Sequence, residues 1–269
     1  MPEPLVTIIT PCLNSERYLP EAIESVRSQS LADFEHIIVD DGSRDRTREL
    51  IRRAAAEDQR VRPILSGSSQ GSAAARNAAL RQARGRYIAF LDSDDRWLPG
   101  KLERQVEFMR TEGVALSYAA YHRIDEDGHR ISTFGVPDRV AYPDLLKTCY
   151  IGCLTAMVDR EATGAFEFPL VARRQDWALW LRLLRQIDFA HGIREPLAEY
   201  RVRRGSLSGN KLTTARYTWR MYRDLEGLSW GRSAHSFAHY AVRGVLRHRF
   251  PALARRLGVL HPAGGSGDG

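Results

Sequence analysis

Four short runs of apolar and β-branched residues, at 5–9, 36–39, 61–65 and 87–91, alternate with segments of helical character at 20–29, 46–56, 72–83 and 99–110. The second run, His36-Ile37-Ile38-Val39, is nearly unbroken apolar sequence. Strands without polar alternation must be covered on both faces, and strands separated by helices run parallel. The pattern therefore predicts an α/β fold, a doubly wound and mostly parallel sheet. Local signals agree: Pro99 stands in the first turn of the fourth helix, and Ser43 or Asp45 is placed to cap the second.

Ligands of such sheets bind beyond the carboxyl ends of the strands. Asn14 follows the first strand, Asp40 and Asp41 the second, and Asp92, Asp94 and Asp95 the fourth. Polar residues thus gather on one edge. Asp92-Ser93-Asp94-Asp95 sets three carboxylates within four residues, which repel one another. A divalent cation, Mg²⁺ or Mn²⁺, relieves that repulsion through oxygen ligands, with phosphate oxygens completing the shell. The plainer reading is a solvated turn that caps the next helix. Asp40-Asp41-Gly42-Ser43 is either a nucleotide contact or a turn whose glycine supplies a positive φ. A phosphoacceptor receiver domain also gathers aspartates at strand ends, but it is shorter and needs a lysine after a strand, which is missing here.

The second half is mixed. Residues 115–121 and 131–134 are predicted strands joined by the turn Asp127-Gly128, with further strands at 154–158 and 198–202. Residues 176–186 form a helix with an apolar stripe at Trp177, Trp180, Leu181 and Leu184. Asp176 suits its N-cap. The two tryptophans suit either the core or a stacking floor for a sugar. Residues 212–257 are predicted helical, broken near 229–231 and at Pro251, and the Gly/Ser-rich stretch 262–269 is predicted disordered.

Thr10-Pro11-Cys12-Leu13-Asn14, Val39-Asp40-Asp41-Gly42-Ser43, Gly71 with Ala75-Arg76-Asn77-Ala79-Leu80, and Phe90-Leu91-Asp92-Ser93-Asp94-Asp95 stand in a fixed order. Gln175-Asp176-Trp177, Leu179-Trp180, Arg182 and Tyr200-Arg201 follow. Each motif is short, but the ordered set, over roughly residues 4–208, resembles the family 2 glycosyltransferases of the GT-A fold. The resemblance implies a nucleotide-diphospho-sugar donor, a divalent cation and an acceptor hydroxyl on a glycan or lipid-linked precursor of the cell surface. It also implies roles. Thr10, Asp40 and Asp41 would lie against the nucleoside, Pro11 and Asn14 would shape its pocket, and Arg76 would lie against the nucleotide. Asp92 and Asp94 match the family's Asp-x-Asp metal ligands with Ser93 between them, and Asp95 would orient the ribose or the sugar. Asp176 matches the general base of inverting members. Two positions depart from the family: Gln175 stands where relatives often carry Glu, and Arg203 where they often carry a histidine. An arginine does not ligate a metal, but it pairs with phosphate.

The chemistry of the residues agrees with that resemblance. Charge that develops on a departing diphosphate is stabilised by a metal and basic groups, and an acceptor hydroxyl needs a carboxylate to take its proton. One base and one metal suffice for transfer with inversion. A sugar-nucleotide nucleotidyltransferase would share the fold class but needs a glycine-rich N-terminal loop, and residues 10–14 contain no glycine. A catalytically inactive binding module would be favoured by loss of Asp94 or Asp176, and both are present.

The predicted organisation is a catalytic domain over 1–208, with a nucleotide half to about 114 and an acceptor half from 115, then a basic helical segment over 209–261. In that segment Arg216, Arg220 and Arg223 interleave with Tyr217, Trp219, Met221 and Tyr222, and Arg243, Arg247, Arg249, Arg255 and Arg256 follow. Such a helix suits peripheral contact with a membrane, or a cap on the catalytic domain with a solvated basic face. The net charge of +7 would also attract nucleic acid, but no nucleic-acid motif is present. Three cysteines without a CxxC pair fit a reducing compartment, and neither a signal peptide nor an apolar run of bilayer length is visible. A cytoplasmic location, peripheral on the inner face of the plasma membrane, is the expectation.

Overall fold

The computed structural model describes residues 3–203 and 211–264. The first half alternates as the sequence predicts: β1 (Val6–Cys12), α1 (Leu19–Arg27), β2 (Phe34–Asp40), α2 (Thr47–Glu57), β3 (Val61–Leu65), α3 (Ser72–Leu80) and β4 (Tyr87–Phe90). Then come β5 (Arg96–Trp97), α4 (Lys101–Glu112), β6 (Leu116–Ile124), β7 (Arg130–Phe134), β8 (Arg139–Val140), α5 (Tyr142–Lys147), β9 (Met157–Asp159), α6 (Arg160–Thr163), α7 (Gln175–Leu183) and β10 (Ala190–Arg201). The C-terminal part holds α8 (Lys211–Arg220), a π-helical turn over Met221–Leu225, α9 (Trp230–Arg249) and α10 (Pro251–Arg256).

One sheet runs in the order β3-β2-β1-β4-β9-β6-β10-β5, with β7 beside β6 and β8 beside β10. β3, β2, β1 and β4 are parallel neighbours, and β10 is parallel to β6. β9 runs antiparallel between β4 and β6. The sheet draws strands from both 1–114 and 115–208, which therefore share one scaffold. Every residue of β1 and β2 is buried, as strands covered on both faces require.

Three differences from the predicted elements have local causes. The strand expected at 154–158 is a 3₁₀ turn over Cys153–Thr155 followed by β9. β10 is twelve residues long, where only its last part was legible. Pro196 and the charged pair Arg194-Glu195 interrupt its pattern, and its pairing with β6 shifts register on both sides of Pro196. At the C-terminus, the amide of Gly264 donates to the carbonyl of Arg194 at 2.8 Å, so residues 262–264 are placed; 265–269, the rest of the predicted disordered tail, lie outside the described residues.

His36, on β2, is fully buried beside Thr10 of β1, with Nε2 2.8 Å from the threonine hydroxyl. Burial pushes its imidazole down to about 3; Asp58 opposes that shift and Arg60 adds to it. Below pH 6.5 the unfolded chain therefore binds a proton that the folded chain refuses. Stability is unaffected above that pH and is lost as pH falls towards 3, by about 1.4 kcal/mol per unit. Urea unfolding at pH 7 and pH 5 should show the wild type losing about 2 kcal/mol more than His36→Gln. Equal losses would mean that His36 is protonated in the folded state.

Candidate active site

Two acidic turns, after β2 and β4, meet the Asn14 turn after β1 at the carboxyl ends of the strands, and they do different work. Asp40 is fully buried, and its carboxylate accepts the amides of Gly42 and Ser43 and Nε of Arg48 at 2.6 Å. Asp41 takes the amide of Gln70 on one oxygen and the Ser69 hydroxyl and Gly71 amide on the other, at 2.7–2.8 Å. Both carboxylates shape loops. Thr10, expected against the nucleoside, is fully buried, with its hydroxyl on His36. Pro11 is buried in β1. The nucleoside contacts expected of Thr10, Asp40 and Asp41 are thus not free side-chain groups, because sheet and loop hydrogen bonds use them. Gly42 sits at φ +89°, and a Cβ there would come within 2.8 Å of the Ser69 amide nitrogen. Glycine is needed both for the turn and for this close approach.

Asn14 occupies the left-handed region at φ 50°, which asparagine tolerates. Its amide donates to Ser43 Oγ at 2.9 Å and its Oδ1 accepts the Arg44 amide, which ties the turn after β1 to the turn after β2. Ser15 continues the link, with its hydroxyl 2.8 Å from that of Ser93.

The four residues after β4 divide in two. Asp92 and Asp94 are half-buried, and each pairs with one guanidinium: Asp92 with Arg76, and Asp94 with Nε of Arg203 at 2.8 Å. Burial raises the Asp94 carboxyl above its usual range, Asp92 adds to the rise, and Arg203 opposes it. Asp95 points the other way. It is buried and accepts the backbone amide of Arg201 at 2.8 Å, so it locks β10 to the turn instead of facing a ribose or sugar. Burial, then Asp94 and Asp92, push its carboxyl well up.

Arg76 is buried on α3, lies 5.2 Å above the Phe168 ring, and has no partner for its Nε among the described residues. Its neighbour Asn77 holds Phe168 by both backbone groups, at 2.9 and 2.7 Å. Asp92 and Asp176 both act electrostatically on Arg76, so Asp176 lies near it.

Asp176 is not the N-cap of its helix. α7 begins one residue earlier, at Gln175, and the cap position is Arg174 at φ 63°. Among the described residues the Asp176 carboxylate has neither a hydrogen bond nor an ion pair. Gln175 reaches Ser72 Oγ at 2.5 Å, so the first turns of α3 and α7 adjoin. The unusual backbone of Arg174 is held by its own side chain, which bonds the Tyr240 hydroxyl at 2.8 Å and stacks on Trp177 and Tyr240. Trp177 and Trp180 are both buried in the main core, which removes the stacking-floor reading for them.

Arg201, quoted only as part of a motif, proves central. Its buried guanidinium bonds the Asp94, Asp125 and Glu126 carbonyls and Glu21. The tyrosine-arginine pair ending a strand was its only sequence signal. Among the described residues Asp125, Asp127 and His129 also converge, in the β6–β7 turn. Asp125 there accepts the amides of Asp127 and His129, so the cluster is a solvated turn. The three cysteines are free, and burial, with Asp176 nearby, pushes the Cys149 thiol up to about 12.

Residues 7–156 match the model of the family described as glycosyl transferase family 2. The chain is similar to TuaG of Bacillus subtilis, a glycosyltransferase assigned to teichuronic acid biosynthesis, at 43% identity over 90% of this chain and 97% of that one. It is 35% identical, over 93% of this chain and 97% of the other, to WfgD of Escherichia coli, a UDP-Glc:α-D-GlcNAc-diphosphoundecaprenol β-1,3-glucosyltransferase. In fold it resembles the mannosyltransferase PcManGT of Pyrobaculum calidifontis, solved with GDP-Man and Mn²⁺. The TM-score is 0.67 at 17% identity, over 95% of this chain and 79% of that one.

Proposed function

Because the chain belongs to glycosyltransferase family 2, we propose that it transfers a sugar, with inversion, from a nucleotide diphosphate to a hydroxyl of a lipid-linked or polysaccharide precursor. The observation that carries this reading is one constellation. Two half-buried carboxylates, Asp92 and Asp94, are matched by Arg76 and Arg203, and the unengaged carboxylate of Asp176 lies near Arg76. The relatives' named donors and acceptor, UDP-Glc and GDP-Man, and a diphosphoundecaprenol-linked sugar, support the substrate classes.

Asp176 takes the proton of the acceptor hydroxyl as the new C–O bond forms. The anomeric carbon–phosphate oxygen bond breaks, and its electron pair leaves with the nucleoside diphosphate. Arg76 and Arg203 face that growing charge. Their present partners Asp92 and Asp94 are oxygen donors of the kind a hard cation takes, so the pair fits Mg²⁺ or Mn²⁺. When bound, such a cation stabilises the leaving diphosphate. Arg203 stands where relatives often have a histidine and holds Asp94 through charge.

Thermal unfolding against UDP, dTDP and GDP, with and without Mn²⁺, tests the reading. One nucleotide should raise the melting temperature, more so with metal, equivalent to about 2.7 kcal/mol at a hundredfold excess over Kd. No shift with any of them would remove the donor site.

A further inference from the structure

The outward face of α9 and α10 exposes apolar side chains and arginines and carries no acidic residue. α9 has two clean faces. Ser233, Ser236, Phe237, Tyr240, Arg243 and Arg247 turn towards the catalytic domain, where Arg243 bonds the Tyr150 hydroxyl and Arg247 bonds Thr148 Oγ1, at 2.7 and 2.8 Å. These two arginines, read from sequence as part of a basic face turned to either a membrane or solvent, are therefore structural.

The opposite stripe of α9 runs through Ala238, Val242 and Val245 to Arg249, at the three- and four-residue spacing of one helix face. Phe250 caps the end of α9, and α10, which begins at Pro251, adds Leu253 and, at its own C-cap, Leu257. Val242, Val245, Phe250, Leu253 and Leu257 are 46–59% exposed, an unusual concentration for side chains of this size. Arg249, Arg255 and Arg256 are exposed among them. No aspartate or glutamate occurs anywhere between residues 227 and 264.

We propose that the α9–α10 corner docks the enzyme on an anionic lipid surface, with the five apolar side chains entering the headgroup boundary and the three arginines on lipid phosphates. Charge decides the occupant. A second copy applied face to face would set arginines against arginines, whereas an anionic bilayer complements the whole acid-free stretch. No described helix is long and apolar enough to cross a membrane, so the contact is interfacial.

The same helix links this surface to the site. Tyr240, which holds Arg174 two residues before Asp176, lies ten residues before Phe250. That is about 15 Å along the axis. Docking would thus bring the base-bearing helix close to the headgroups, where a lipid-linked acceptor presents its sugar. In this respect the inference rests on the acceptor class proposed above.

Flotation of the full chain with vesicles, without donor or acceptor, tests it. Phosphatidylglycerol-containing vesicles should bind at least about tenfold more tightly than phosphatidylcholine vesicles, and less in high salt. Replacing Arg249, Arg255 and Arg256 by Gln should weaken binding on the order of a hundredfold. Phe250→Ser with Leu253→Ser and Leu257→Ser should abolish it, with circular dichroism and the nucleotide-induced melting shift unchanged. No binding by the wild type, or undiminished binding by the serine variant, overturns the proposal. So does a dimer in sedimentation that the serine variant dissociates, since the face would then belong to a second copy. Binding without sugar transfer would leave docking intact and sink the acceptor reading instead; transfer to a soluble acceptor without binding would do the reverse.

Discussion

Asp176→Asn should lower kcat by about 10²- to 10⁴-fold while the affinity for the nucleotide diphosphate stays as in the wild type, because only proton removal from the acceptor is lost. Asparagine has the shape of aspartate and keeps the first turn of α7, where the carboxylate stands inside the helix and not at its cap. Loss of a negative charge there costs about 0.3–1 kcal/mol through the helix dipole. The folded enzyme therefore survives to be assayed. Steady-state kinetics beside calorimetric nucleotide binding separate the outcomes. Unchanged turnover would remove Asp176 as the base. Loss of nucleotide binding together with turnover would make it a donor-site residue, as its electrostatic link to Arg76 would then require.

Reading that carboxylate correctly needed both levels. The acidic turn 92–95 was legible from sequence, because a parallel sheet gathers strand ends on one edge and nothing in a strand end demands three carboxylates. Which way each carboxylate turns was not legible. Asp94 faces Arg203 while its neighbour Asp95 faces the backbone of β10, and adjacent residues on a turn carry no period that separates them. The same holds for Asp40 and Asp41, whose oxygens are taken by backbone amides that no side-chain pattern announces. In the C-terminal part, the helical character of 212–257 was legible, but not which face of α9 the catalytic domain covers. Arg243 and Arg247 were read as facing outward, and tertiary contacts with Tyr150 and Thr148 turned them in.

The largest loss of stability from a single polar side chain is expected at Arg201. Its guanidinium satisfies three backbone carbonyls, from Asp94 and from the β6–β7 turn at Asp125 and Glu126, and pairs with Glu21 of α1. It also stacks 4.6 Å from the centre of the Tyr18 ring. Arg201→Met keeps the apolar stem but strands the three carbonyls and leaves Glu21 with Arg96 as its remaining partner, at a cost of about 3–5 kcal/mol. For a chain of this length that is a fall in Tm on the order of 10 °C. Arg201→Lys should recover only part, because an ammonium has three donors and lacks the flat fork that reaches separate loops at once. Denaturant and thermal unfolding of the two variants check this. A loss below about 1 kcal/mol in Arg201→Met would show the contacts to be dispensable. The functional consequence follows from the first of these bonds, since the carbonyl of Asp94 is held in place by Arg201. Metal-dependent nucleotide binding should therefore weaken in the folded Arg201→Met protein, although the Arg201 side chain itself is buried. Tight binding in a destabilised variant would instead show that the turn after β4 keeps its shape without this clamp.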